Sequence, residues 1–74
     1  MKLSELIKGD KAEIVKINAD KALKDRFSSF GVMQGEELLV KGCSIAKQTM
    51  EIKVGSTLIA VRADEADKIE IEKL

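Results

Sequence analysis

The sequence predicts a small, mostly β domain in which five short strands close into a barrel and one α-helix lies between the first and second strands. Apolar and polar residues alternate in several short segments, as they do in strands with one buried face. A sustained helical apolar pattern occurs only at about residues 20–30. With 74 residues the chain forms a single domain over residues 1–74. Barrel closure suits so short a chain because it removes exposed strand edges.

The N-terminus predicts a short helical turn. Leu3, Leu6 and Ile7 have helical spacing. Ser4 is a suitable N-cap and Gly9 is a suitable end for the turn.

The strands are predicted from their alternation, which is clearest for Met50, Ile52 and Val54. The next two residues, Gly55-Ser56, suit a type II′ hairpin turn. In the first strand the alternation slips at Ile14-Val15, which indicates either a β-bulge or a strand covered on both faces. The predicted strands span residues 11–17, 37–41, 49–54, 57–62 and 68–72, with a loop at 42–48 and a short turn or single helical turn at 64–67.

The segment from residue 22 to residue 35 stands out because it holds both phenylalanines of the chain. Leu23, Phe27 and Phe30 lie on one face of the predicted helix. Gly31 follows where a helix ends in a left-handed residue, a conformation that glycine adopts at little cost. Leu23 and Phe27 are predicted to close one end of the barrel, whereas Phe30 and Val32, beside the glycine bend, are predicted to be partly exposed.

Composition limits the possible partners and location. Thirteen basic residues balance thirteen acidic ones, so the chain has no general attraction for phosphate backbones and no nucleic-acid partner is expected. Cys43 is the only cysteine, which excludes an intramolecular disulfide and fits a reducing compartment. The N-terminal residues do not form a signal peptide, and no apolar run approaches membrane-spanning length. We therefore expect a cytoplasmic protein without direct membrane insertion.

The side-chain inventory argues against catalysis. Without histidine, a Ser-His-Asp or Cys-His site cannot form, so no enzyme activity and no catalytic residues are expected. The phosphate-binding loop motif is absent, and no cofactor is expected. No metal site is predicted, because the ligand spacing is missing. The acidic group Asp64, Glu65 and Asp67 is interpreted as a solvated face, and Cys43 as an ordinary loop residue.

The ordered set of motifs resembles the ferrous iron transport protein A (FeoA) family over nearly the whole chain. The motifs are Leu3-x-x-Leu6-x-x-Gly9, Leu23-x-x-Arg26-Phe27-x-x-Phe30-Gly31-Val32-x-x-Gly35, the hairpin with Leu58-x-Ala60-x-Arg62, and the acidic turn before Ile69-x-Ile71. Family members usually have leucine at the position of Phe27. At the position of Phe30 they usually have methionine or leucine. They commonly have proline where this chain has Gln34, so the turn is less rigid here.

The resemblance implies an SH3-like barrel of the bacterial cytoplasm that works beside the ferrous iron transporter FeoB. It implies an accessory protein that docks on the cytosolic region of FeoB and supports or regulates it. We expect the partner to bind around the helix and glycine bend, at Leu23, Arg26, Phe27, Phe30, Gly31, Val32, Met33 and Gly35.

Two alternatives stay open at this point. A ferrous-ion carrier would use carboxylates and Cys43. A GTPase-activating protein would place Arg26 or Arg62 into the site of its partner as an arginine finger. Arg26 could also bind a carboxylate or the carbonyls of the turn.

Overall fold

The computed structural model describes the backbone of residues 1–74 and every side chain except that of Lys47. It is mostly β, as predicted. The helical elements are α1 (Lys21–Ser29), α2 (Ala63–Ala66) and two 3₁₀ turns, Leu3–Glu5 and Ile45–Lys47. The strands are β1 (Lys11–Ile17), β2 (Glu37–Cys43), β3 (Thr49–Val54), β4 (Thr57–Arg62) and β5 (Ile69–Lys73).

The five strands form one antiparallel sheet in the order β4-β3-β2-β1-β5, an SH3-like arrangement. Two register shifts bend it, one in β1 between Ile14 and Lys16 and one in β2 between Val40 and Gly42. Of the two alternatives that the sequence left open for β1, a bulge or a strand covered on both faces, the first shift shows the bulge. Such bulges increase local twist and let a short sheet curl around its own inner face.

The core lies inside this curled sheet. It contains the inward residues of every strand, the two leucines of the N-terminal turn, and two residues contributed by α1 and the bend after it. The buried apolar residues are Leu3, Leu6, Ala12, Ile14, Phe27, Val32, Leu38, Val40, Met50, Ile52, Val54, Ile59, Val61, Ala66, Ile69 and Ile71.

The β3–β4 hairpin was predicted correctly. Val54 pairs with Thr57 across Gly55-Ser56. Gly55 has φ +60° and Ser56 does not have positive φ, which matches a type II′ turn. The sequence left open a short turn or a single helical turn at 64–67, and the structure has the helical turn, as α2.

Three local predictions were wrong. The segment 42–48 is not simply a loop, because β2 continues to Cys43 and a 3₁₀ turn follows at Ile45–Lys47. The N-terminal turn is 3₁₀ and is not capped by Ser4, whose hydroxyl donates instead to Asp67. Ile7 is 58% exposed and does not share the buried face of Leu3 and Leu6.

Candidate partner-binding surface at the first glycine bend

Helix α1 begins as the sequence predicts. The Asp20 carboxylate accepts a hydrogen bond from the Leu23 N–H at 2.9 Å, which satisfies one of the unpaired donors of the first turn. Leu23 is half-buried and packs against the core. Lys21 and Asp25 form an exposed ion pair one turn apart. The helix therefore presents a charged outer face while Leu23 and Phe27 point to the core.

The bend after α1 is fixed by backbone hydrogen bonds. Gly31 has φ +87°, and its N–H donates to the Ser28 carbonyl at 3.0 Å. The Val32 N–H donates to the Phe27 carbonyl at 2.9 Å, so the chain folds back over the helix end. The Gly35 N–H donates to the Ile14 carbonyl at 2.8 Å, which ties the bend to β1 beside its bulge.

The apolar residues at this bend divide into two groups. Phe27 and Val32 have no exposed surface, whereas Phe30 is 46% exposed and Met33 is 41% exposed. The prediction that Val32 would be partly exposed is wrong, because its reversal toward the Phe27 carbonyl carries the side chain into the core. Phe27, named in the predicted binding set, is likewise core. The exposed apolar surface at the bend consists of Phe30 and Met33, which we call the Phe30–Met33 surface.

Arg26 is tied to a residue far along the chain. Its Nη2 donates to Glu65 Oε2 at 2.8 Å, across 39 residues of sequence. The guanidinium Cζ lies 5.8 Å from the centre of the Phe27 ring, within cation–π range. Of the two options that the sequence left open for Arg26, the structure shows the carboxylate. This arginine is held in place beside the bend rather than being free to extend.

Glu65 is the functional candidate that sequence reasoning missed, because it was grouped with Asp64 and Asp67 as solvated. Only 9% of Glu65 is exposed. Its Oε1 accepts from the Arg62 N–H at 3.2 Å while its Oε2 accepts from Arg26. Glu65 lies three residues after Arg62, the N-cap residue of α2, which is the position where a glutamate commonly caps a helix start.

A shallow cleft of about 380 Å³ adjoins the Phe30–Met33 surface. It lies between the end of β1 and α1, and Met33 forms part of its wall. The lining is a mixture of basic, acidic, polar and apolar residues, namely Lys16, Ile17, Lys24, Asp25, Ser28, Val32, Met33 and Gln34. This composition suits a protein partner that offers both apolar and polar groups.

The chemistry of the other candidate sites is sparse. Among the described residues, no three Cys, Asp or Glu side chains converge as a metal site would require, and the chain has no histidine. Cys43 is exposed and carries a free thiol. None of the helices described in residues 1–74 has the length and apolar character needed to cross a membrane.

Comparison with known proteins gives the family. The model of the FeoA domain matches residues 1–73. This chain belongs to the FeoA family. A Helicobacter pylori relative (strain ATCC 700392 / 26695), named as Fe(2+) transport protein A, is 39% identical over 74 residues, which cover 99% of this chain and 97% of the relative. The name of this relative associates the FeoA family with Fe(2+) transport.

Solved FeoA structures confirm the fold. The solution structure of the Chlorobium tepidum FeoA protein superposes with a TM-score of 0.94 at 32% identity, over 100% of this chain and 70% of that one. Zinc-bound FeoA from Stenotrophomonas maltophilia, described as a prokaryotic SH3 domain protein, gives a TM-score of 0.83 at 26% identity, over 97% of this chain and 89% of that one.

One relative joins two functions in a single polypeptide. It is a Porphyromonas gingivalis (strain ATCC BAA-308 / W83) protein named as a fusion of Fe(2+) transport protein A and the Fe(2+) transporter FeoB. The match is 29% identical over 72 residues and spans 97% of this chain but 8% of the fusion protein. In that protein a FeoA domain is therefore covalently attached to a transporter.

Proposed function

We propose that this FeoA-family chain is an accessory protein of ferrous iron uptake that docks on the cytosolic region of FeoB through the Phe30–Met33 surface. The observation that carries the proposal is the exposure of two large apolar side chains on either side of a hydrogen-bonded glycine bend. The Porphyromonas gingivalis fusion supports the choice of partner, since covalent attachment keeps the two domains close together.

The geometry of the bend favours a binding role for these two side chains. An exposed phenylalanine or methionine gains free energy when a partner buries it, and rigid presentation lowers the entropic cost of that step. The bonds from Gly31 to Ser28 and from Gly35 to Ile14 supply this rigidity. Leu23 lies partly exposed on α1, the helix before the bend. Arg26, also on α1, adds a cation whose position is fixed by Glu65.

Arg26 acts in this proposal as a fixed contact rather than as an arginine finger. Its guanidinium already binds Glu65 at 2.8 Å, so entry into a nucleotide site on the partner would first require breaking that ion pair. Docking makes no such demand, because an Arg26 side chain that is 53% exposed can contact a partner while it remains bound to Glu65.

A binding assay tests the proposal. Immobilised cytosolic region of FeoB is titrated with the chain and with Phe30→Asp, Met33→Asp and Ile45→Asp, with and without guanine nucleotide. Ile45 is 95% exposed and lies far along the chain in the second 3₁₀ turn, so it is a matched control for adding a charge to an exposed apolar position.

We expect Phe30→Asp and Met33→Asp each to weaken binding by about tenfold or more, the scale of losing one buried apolar contact, about 1.5–3 kcal/mol. Ile45→Asp is expected to bind as the unmodified chain does. Equal binding by folded Phe30→Asp and Met33→Asp proteins would rule out this surface.

A further inference from the structure

The three methionines of the chain lie in different environments. Met50 is 1% exposed and belongs to the core, whereas Met33 is 41% exposed at the glycine bend. Met1 is 54% exposed and lies outside the Phe30–Met33 surface. A thioether reacts with peroxides where solvent reaches its sulfur. Met33 is therefore the methionine of the proposed docking surface that an oxidant can reach.

The bend holds the backbone around Met33 in place while leaving the side chain accessible. The Met33 carbonyl accepts a hydrogen bond from the Glu36 N–H at 3.1 Å. One residue earlier, the Val32 N–H donates to the Phe27 carbonyl at 2.9 Å, and both of these side chains are buried. A larger and more polar side chain at residue 33 can therefore be accommodated without a change in the core.

The cleft beside Met33 is lined by several hydrogen-bond donors. The donor groups are two ammoniums, a hydroxyl and an amide, which belong to Lys16, Lys24, Ser28 and Gln34. Among the described side chains, none of these four groups has a hydrogen bond or ion pair. The carboxylate of the lining, Asp25, is bound to Lys21 at 2.8 Å. A thioether sulfur is a weak acceptor for such donors, whereas the oxygen of a methionine sulfoxide is a polar one.

We propose that Met33 is an oxidation site through which hydrogen peroxide weakens docking at the Phe30–Met33 surface. The Met33 sulfur attacks one peroxide oxygen, so an S–O bond forms and the O–O bond breaks. The second oxygen leaves as hydroxide and takes the proton of the transferred hydroxyl, which gives water and the sulfoxide. The sulfur loses two electrons and the peroxide gains two. This inference rests on the proposed docking function, because it names a way of regulating that same surface.

Oxidation removes the free energy that burial of Met33 contributes to docking. The apolar thioether becomes a dipolar sulfoxide, which loses its hydration when a partner covers it. In the free chain the donors of the cleft can bind the sulfoxide oxygen, which stabilises the oxidised side chain before a partner arrives. Both effects lower the affinity of the oxidised chain, while Phe30 and the fold stay as they are.

The modification is reversible. Methionine sulfoxide reductases return the sulfoxide to the thioether. The two electrons come from a pair of thiols on the reductase, and the sulfoxide oxygen leaves as water. Loss and recovery of binding can therefore be measured on one sample of the chain.

Peptide mass spectrometry tests the site without any partner. The full chain carrying Cys43→Ser is treated with hydrogen peroxide, because the exposed Cys43 thiol would otherwise react as well. Met33 is expected to gain one oxygen atom while Met50 stays unmodified, since Met50 becomes accessible only when the core opens. Oxidation of Met33 that is no faster than that of Met50 would overturn the inference.

A titration against the cytosolic region of FeoB tests the consequence. The Cys43→Ser chain is compared untreated, oxidised and then freed of peroxide, and repaired with the reductase. Oxidation is expected to weaken binding about three- to tenfold, as for partial loss of one buried apolar contact, and repair is expected to restore it. Met33→Leu in the same background cannot be oxidised at residue 33 but keeps Met1 and Met50. Whatever its starting affinity, that variant is expected to bind equally before and after treatment.

The outcomes separate this inference from the docking proposal. Equal binding by the untreated chain and by a chain oxidised at Met33 would overturn the inference and leave the docking in place. A loss of binding that Met33→Leu shares would assign the effect to another residue and would also overturn it. An untreated chain that does not bind FeoB would contradict the proposed function itself, and the inference would fall with it.

Discussion

Arg26 and Glu65 form the longest-range side-chain link of α1, with Nη2 and Oε2 2.8 Å apart across 39 residues of sequence. The pair joins the helix beside the Phe30–Met33 surface to the short helix α2 after β4. The same carboxylate also accepts a hydrogen bond from the Arg62 N–H at the start of α2. One largely buried side chain therefore holds α1 in place and caps α2. Glu65 is therefore buried and bonded at both carboxylate oxygens, whereas its neighbours Asp64 and Asp67 are exposed and Asp67 accepts a hydrogen bond from the Ser4 hydroxyl.

Replacing Glu65 with alanine should destabilise the fold. The change leaves the Arg62 N–H and the Arg26 guanidinium without their acceptor, which we expect to lower the free energy of unfolding by about 1–3 kcal/mol. Urea unfolding followed by circular dichroism measures this, with Glu72→Ala as an exposed control that should stay within about 0.5 kcal/mol. A Glu65→Ala protein as stable as the control would show that the link contributes nothing.

The two phenylalanines should differ sharply in their contribution to stability. Phe27→Ala opens a cavity in the core and is expected to cost about 3–5 kcal/mol, enough to unfold much of a domain this small. Phe30→Ala removes a side chain that is already 46% exposed and is expected to cost less than about 1 kcal/mol. Thermal unfolding of both variants checks the contrast, and comparable losses would contradict the division between core and surface at the bend.

Adjacent positions in the bend should respond oppositely to a charge. Val32→Asp places a carboxylate in the core without a partner and is expected to leave the chain unfolded. Met33→Asp lies on the surface and should keep the native circular dichroism spectrum. If Val32→Asp folded normally, the burial of Val32 described above would be wrong.

Gly31 should resist substitution because of its backbone conformation rather than for lack of space. An added Cβ would come no nearer than 3.9 Å to Val54, but φ +87° is unfavourable for alanine, so Gly31→Ala is expected to cost about 1 kcal/mol or more. Gly42, which has no positive φ and open space around it, is the control, and Gly42→Ala should be close to neutral. Chemical unfolding measures the stability of both variants. Equal losses of stability in Gly31→Ala and Gly42→Ala would contradict a conformational requirement for glycine at the bend.

Local patterns explain what the sequence predicted well. β1, α1 and the β3–β4 hairpin each have a period, a cap or a turn signal within a few residues, so neighbouring residues determine them. Gly42 and the register shift beside it interrupt the alternation of β2, so its extension to Cys43 could not be seen in the local pattern. The continuation depends on hydrogen bonds to β3, which are not local.

The candidate site could be predicted only in part, because some of its features also depend on contacts between residues far apart in sequence. The position of the bend follows from Gly31 and Gly35, but the burial of Val32 depends on how the chain reverses toward the Phe27 carbonyl. The role of Glu65 depends on a partner 39 residues away.

The most direct test of the proposed docking is to observe the Phe30–Met33 surface while FeoB binds. Amide and methyl NMR signals of the labelled chain are recorded as the unlabelled cytosolic region of FeoB is added. The proposal predicts early loss or shift of the Phe30, Met33 and Gly35 signals, with the Ile45 signals unaffected. Binding that leaves the signals of Phe30 and Met33 unchanged, or no binding at all, would contradict it.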